Sequence, residues 1–336
     1  MSSISQIRTR FLILSDTHGH SLFDPRTKPD EAQQYAFREP LPSADVAIHC
    51  GDLTLYSHVK EYQKTFDMMR SIDAPLKLVI PGNHDCSLDV DFWEKDCLRR
   101  RHLPEEMMAR LLRQPYETYE VVEQARQDGI HVLTEEGTYH FVLSNGARLT
   151  VYASAWTPEY GRWGFQYGEG GHNFAIEPET DVAITHGPPY MMLDRTRSHD
   201  DAGCPSLWAA VTRARPRVHC YGHIHESHGM VKQSWEGDGE QMVLERAVAG
   251  EVTRDIQPVS LCAGDEGSIP FEAGSETLFV NAAIMSVAYK PHQSPWVVDL
   301  ELPSPDVEHK EKADKTQELL SRPRTLHDGP TIEKGS

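Results

Sequence analysis

Five short apolar runs, each closing on a polar turn that bears aspartate or histidine, constrain this chain more than any other feature. They are FLIL (Phe11–Leu14), DVAIHC (Asp45–Cys50), LKLVI (Leu76–Ile80), DVAIT (Asp181–Thr185) and RVHCY (Arg217–Tyr221). Runs this short, with little alternation, suit strands buried on both faces. Two further segments, HFVL and RLTVYAS, flank SNG and predict an antiparallel hairpin. Helical patterns lie between the runs. In HVKEYQKTFDMMRSI, Val59, Tyr62, Phe66 and Met69 recur at three- and four-residue steps. LPEEMMARLLRQ opens on proline and acids, PYETYEVVEQARQDG ends at a glycine, and PSLWAAVTRARP stops before a proline. Strands alternating with helices predict an α/β fold, to which the hairpin adds an antiparallel component.

The turns carry the chemistry. SDTHGH supplies Asp16 and His18, GDLT supplies Asp52, and PGNHDCS supplies Asn83, His84 and Asp85. HGPP supplies His186, and GHIH supplies His223 and His225. Ligands of open α/β sheets sit beyond the carboxyl ends of the strands, so five strand ends bring carboxylates, an amide and imidazoles to one crevice. Such mixed oxygen and nitrogen donors suit borderline divalent metals, Mn, Fe or Zn, with Mg also admissible. Gly51, Gly82, Gly187 and Gly222 stand at these turns, where the backbone must bend sharply or approach an ion. Each motif alone is a weak signal. Five in one order, each after an apolar run, predict a dinuclear metal site.

Bulk properties narrow the rest. A chain of 336 residues with 39% hydrophobic side chains can bury one large core. The net charge of −18 excludes general nucleic-acid or anionic-membrane binding by surface charge. No apolar run is long enough to span a bilayer, and FLIL is too short for a signal-peptide core. Six scattered cysteines without C-x-x-C pairs read as buried thiols in a reducing, cytoplasmic setting. Residues 1–10 read as a leader, 11–302 as the domain and 303–336 as a disordered Lys/Glu/Pro-rich tail. The acidic, glycine-rich stretch 231–275 reads as an excursion with at most one strand, before late strands at TLFVNAAI and PWVVDLEL.

The motif order D-x-H, G-D, G-N-H-D, H, G-H-x-H resembles the calcineurin-like metallophosphoesterase superfamily over about residues 11–302. HGPP, the cysteine ahead of a helix, RPR, GHIHE, GARLTVYASAWTP and TLFVNAA resemble its metallophosphoesterase-domain-containing (MPPED-like) branch. The resemblance implies a sandwich of two mixed β-sheets flanked by helices. It implies Asp16, His18, Asp52 and His225 on one metal and Asp52, Asn83, His186 and His223 on the other, bridged by Asp52. Some animal members of that branch carry glycine where this chain has His223. The implied reaction is hydrolysis of a small-molecule phosphoester, a phosphodiester or nucleotide (a cyclic one included), by a metal-bridging hydroxide. His84 would contact the phosphate or protonate the leaving group. Asp85 would orient that imidazole or a ligand.

Other residues have plainer readings. His49 and His219 lie inside apolar strands and read as core or supporting histidines, while His20 and His228, just past the motifs, read as solvated loop residues or as lining of the site's mouth. Trp156, Tyr160, Trp163, Phe165, Tyr167 and Phe174 stand among glycines, either as a lid that stacks a base or as packing that pins a loop. Arg195 and Arg197 either reach a phosphate or stay solvated. The competing functions are a phosphoprotein phosphatase and a non-catalytic scaffold. The first lacks the G-D-x-x-D-R-G pattern here, since the chain reads GDLTLYS, and the second would show a decayed ligand set.

Overall fold

The computed structural model describes residues 5–27, 35–235, 241–246, 256 and 258–322. The chain runs through β1 (Gln6–Leu14), β2 (Val46–His49), α1 (Val59–Ser71), β3 (Leu76–Val79), α2 (Val90–Arg99), α3 (Glu105–Gln127) and β4 (Ile130–Val132). It continues with β5 (Gly137–Val142), β6 (Arg148–Ser154), β7 (Thr157–Pro158), β8 (Gln166–Tyr167), β9 (Val182–Thr185), α4 (Pro205–Ala214) and β10 (Val218–Tyr221). Last come β11 (Gly229–Ser234), β12 (Gln241–Arg246), β13 (Pro258–Ser260), β14 (Glu276–Asn281), β15 (Trp296–Pro303) and α5 (Val307–Ser321).

The side-chain period of two along β1 builds the layers. Phe11 and Ile13 enter a core shared with Val151, Ile184, Val218 and Val280 of the second sheet. Leu12 and Leu14 face the other way, against Tyr62, Phe66 and Met69 of α1 and Val122 and Ala125 of α3. The first sheet has the order β13-β15-β1-β2-β3-β4, parallel from β1 to β4. The second has the order β12-β11-β14-β10-β9-β6-β5, parallel from β14 to β6. On its outer face α4 packs Leu207, Ala210 and Val211 against Tyr152, Tyr221 and Phe279. The fold is thus the expected sandwich of two mixed sheets flanked by helices. The five motif-bearing strands divide between the sheets, three in the first and two in the second, and Ser15 pairs with Ala283 where the sheets meet.

Several expectations need correction. The stretch 1–10 is no mere leader: β1 begins at Gln6 and pairs with β15 from Gln6↔Pro303 to Ile13↔Trp296, and Arg8 and Arg10 both bind Asp299. The two helices expected on either side of Gln114 are one, α3, with Pro115 inside it. Proline cannot donate to the carbonyl four residues back, and the Trp93 indole N–H donates to that carbonyl, Leu111, at 2.8 Å. Residues 231–275 hold most of β11 together with β12 and β13, more than the one strand expected. The stretch 303–336 was expected to be disordered, yet it contains α5, whose His309, Thr316 and Leu320 are buried. Thr316 Oγ1 accepts from the His140 N–H and the His309 ring lies 2.9 Å from Phe141 O, so α5 occupies hydrogen-bonding groups of the edge strand β5. Residues 323–336 lie outside the described residues.

Candidate metal centre

The loops leaving β1, β2, β3, β9 and β10 converge at one edge of the sandwich. They turn so tightly that Asp16, His18, Asp52 and His223 all have positive φ, 57°, 45°, 55° and 68°. Such backbone is uncommon outside glycine and concentrates at functional sites. Hydrogen bonds between loops hold it: Asp16 N–H to Gly51 O at 2.9 Å, His18 N–H to Asp52 O at 3.0 Å, and His223 N–H to the Asp16 carboxylate at 3.0 Å. Gly222 is required by close approach, since a Cβ there would collide with the Asp16 carboxylate and the Ser15 hydroxyl.

Two candidate ligand groups result. Asp16, His18 and His225 bring their donor atoms within 4.8 Å of one another, and so do Asp52, His186 and His223. His225 Nε2 lies 3.3 Å from Asp16 Oδ1 and 3.3 Å from His18 Nε2. Asp52 stands between the groups, with Oδ2 3.7 Å from His18 Nε2 and Oδ1 3.3 Å from His186 Nε2. Asn83 Oδ1 is 2.9 Å from His186 Nε2, and its amide N–H donates to Tyr160 OH at 3.0 Å.

The donor set fits divalent metal. His18 Nδ1 faces Thr54 O at 2.9 Å and His186 Nδ1 faces Cys50 O at 3.0 Å. A carbonyl only accepts, so each Nδ1 carries a proton, and whenever the ring is neutral its lone pair lies on Nε2, turned into the crevice. Burial pushes His18 down to about 4 and His223 to about 3, which keeps both rings neutral. His186 is burdened by the same burial, yet Asp52 and Asp16 lift it to about 9. Burial would raise Asp16, but His225 holds it at about 2, and Asp52 sits well below the carboxylate range because His186 and His84 outweigh its burial.

The family profile described as Calcineurin-like phosphoesterase matches residues 9–227. The chain belongs to the calcineurin-like phosphoesterases. It is 29% identical over 301 residues to metallophosphoesterase domain-containing protein 1 of Homo sapiens, covering 88% of this chain and 72% of that one, and equally to the Mus musculus protein. It is also 28% identical over 236 residues to UPF0046 protein T07D4.2 of Caenorhabditis elegans, covering 66% of this chain and 52% of that one. Family membership supports metal-dependent phosphoester hydrolysis.

Within this phosphoesterase, the remaining motif residues separate by contact. The His84 ring is fixed by Leu55 O, 2.8 Å from Nδ1, and lies 4.9 Å from the His18 ring and 4.2 Å from Trp163. Asp85 does not hold that ring. Its carboxylate accepts from the Gly82, Leu53 and Thr54 N–H groups at 2.8–3.0 Å and from the Thr54 hydroxyl, which ties the loop bearing Asn83 to the loop bearing Asp52. Burial, with Asp52 adding to it, raises Asp85 to about 7. His49 and His219 are buried, each 2.9 Å from a threonine hydroxyl, Thr17 and Thr185. His20 is exposed. His228 is not the solvated residue expected: it is buried, stacked on Trp296 and 3.1 Å from Ser294 O.

The aromatic loop divides between packing and the crevice. Phe165 and Phe174 are buried in the core, and His172 pins the loop to Glu136 at 2.5 Å. Tyr160 and Trp163 instead reach the site. A cavity of about 320 Å³ opens over the ligands, lined by Asp52, His84, Tyr160, Arg197, His225 and Tyr289 among others. Arg197 reaches it and Arg195 does not line it. Tyr289 was missed in the sequence. Its ring lies 5.0 Å from His18 and 5.2 Å from His225. The available signal was strand direction: β14 runs parallel to β10, so the loop after it opens on the same crevice.

Proposed function

We propose that this chain is a phosphodiesterase of small nucleotides, cyclic ones included, that uses two divalent cations of the Mn, Fe or Zn class in a reducing, cytoplasmic setting. The observation that carries the reading is the cavity of about 320 Å³ over two ligand groups joined by Asp52. Its size matches small-molecule pockets, which begin at about 300 Å³. Tyr160 and Tyr289 supply aromatic faces beside the ligands, and Arg197 supplies a guanidinium at the mouth. The six free cysteines are all buried, in keeping with that compartment.

Asp16, His18, Asp52 and His225 would hold one cation, and Asp52, Asn83, His186 and His223 the other. Bound there, the pair would supply Lewis acidity toward phosphoryl oxygens and lower the pKa of water toward neutrality. The chain's own groups do the rest. Arg197 attracts the phosphate, and Asp85 keeps the loops of Asp52 and Asn83 in register. Water adds its oxygen to phosphorus as one ester bond breaks. One proton of that water passes to solvent, and the leaving oxygen takes its proton from His84, whose ring stands at the cavity wall with Nδ1 already committed to Leu55 O.

The test is a substrate panel on protein stripped of metal and reloaded singly with Mn, Fe, Zn or Mg. It contains 2′,3′- and 3′,5′-cyclic AMP, a chromogenic diester and monoester, and a phosphopeptide. Turnover should favour the diesters and depend on added metal. Preferential hydrolysis of the phosphopeptide would replace this reading with a phosphoprotein phosphatase, and no turnover with metals bound would leave a scaffold.

A further inference from the structure

Two cavities meet at His84. The second, of about 310 Å³, is lined by Leu55, Phe92, Trp93, Arg100, Arg162 and Trp163 among others, and His84 is the one residue that lines both. Phe92, Trp93 and Trp163 give it aromatic lining. Trp93 is locked by its hydrogen bond to Leu111 O, and Trp163 lies against the His84 ring at 4.2 Å. Its guanidinium groups differ in freedom: Arg100 pairs with Asp96 at 2.5 Å, whereas exposed Arg162 makes no ion pair among the described residues.

This arrangement has a direction. The metal ligands lie on one side of His84 and Trp163 lies against its ring. A proton delivered by His84 goes to the leaving oxygen, so the group bearing that oxygen belongs near the second cavity. In a cyclic nucleotide the leaving oxygen stays on the ribose, and the ribose carries the base. We propose that the second cavity binds the planar base of the substrate, stacked on the wall formed by Phe92, Trp93 and Trp163, with Arg162 facing the base's acceptor atoms. The proposal rests on the phosphodiesterase reading for its orientation, but the cavity's affinity for a base can be measured without it.

The first experiment titrates the protein, with and without Mn, with adenosine, which has no phosphate, and follows tryptophan fluorescence. Saturable quenching is expected, and Phe92→Ala and Arg162→Ala should each weaken it about tenfold, the size of one lost base–aromatic contact or one lost hydrogen bond from a charged donor. Because Arg162 is exposed, its replacement leaves the core intact even where Phe92→Ala folds poorly. The second experiment compares kcat/KM for 2′,3′-cyclic AMP with that for 1-O-methylribose 2,3-cyclic phosphate, which lacks the base. Both variants should lower the ratio of the two about tenfold, chiefly through KM. No quenching by adenosine, or a ratio unmoved by both variants, overturns the proposal. If adenosine binds as expected while neither cyclic phosphate is hydrolysed, the phosphodiesterase reading fails and the base site stands.

Discussion

Asp52 stands between the two candidate ligand groups, with one oxygen toward His18 and the other toward His186. Asp52→Asn should lose metal and turnover together while the protein stays folded, and two metals retained at full activity would remove Asp52 from the bridge. His84→Ala should instead keep the metals and slow the chemical step by about 10²–10⁴-fold, less for a substrate with an excellent leaving group. An equal loss across leaving groups would give His84 a phosphate-binding role. The clustered histidines divide by environment. His223→Gly should empty one site and His225→Ala the other, both read by metal counting. His228→Ala should keep both metals but cost about 2 kcal/mol, because it deletes a buried ring and leaves Ser294 O unpaired. The candidate ligand cluster was legible in the sequence because aspartate, histidine and glycine stand within a few residues of each strand end. Tyr289 was not, because its neighbours SVA and KPH carry no comparable pattern and its position depends on a late strand's direction.

At the scale of elements, strands were legible where burial on both faces leaves an unbroken apolar run, and they blurred where it does not. The strand β4 is only three residues long, and its middle residue, His131, is polar. Helix α3 was split because proline predicts a break, and only the tertiary contact from Trp93 to Leu111 explains why none occurs. Helix α5 was missed for a different reason. Its sequence VEHKEKADKTQELLS touches the domain through a narrow line of His309, Thr316 and Leu320, and the charge around them imitates a disordered tail. Removing residues 304–336 should therefore lower Tm measurably, with Leu320→Ala alone costing about 2–3 kcal/mol by denaturant unfolding. Metal content and turnover should change little, because α5 packs on β5, at the end of the second sheet away from the strands that carry the ligands. A truncated protein as stable as the full chain would mean that the helix does not dock in solution.

For the whole molecule, the two sheets gather carboxylates and imidazoles into a buried edge of a chain whose net charge is −18. Without cations those charges must be balanced internally, since buried charge without a partner is strongly disfavoured. The carboxylates find that balance in the imidazoles beside them, raising both His225 and His186 against their burial. Asp52 and Asp16 lift His186 to about 9 against its burial, so at neutral pH the metal-free protein holds His186 protonated. A metal accepts only the neutral ring, so binding must expel that proton. Titrating Mn or Zn into metal-free protein near pH 7.5 should release at least one proton per chain, read by calorimetry in buffers of different ionisation enthalpy. The release should vanish above about pH 9. Stability has the matching sign. A raised folded pKa contributes fully below the unfolded value of 6.5 and is lost as pH rises through about 9. The metal-free protein therefore gives up this contribution between pH 6.5 and 9, while the loaded protein, with His186 neutral throughout, never had it to lose. The Tm difference between loaded and metal-free protein should accordingly widen across that window at fixed free metal. A constant difference, or metal binding with no proton released, would show that His186 is neutral before the metal arrives.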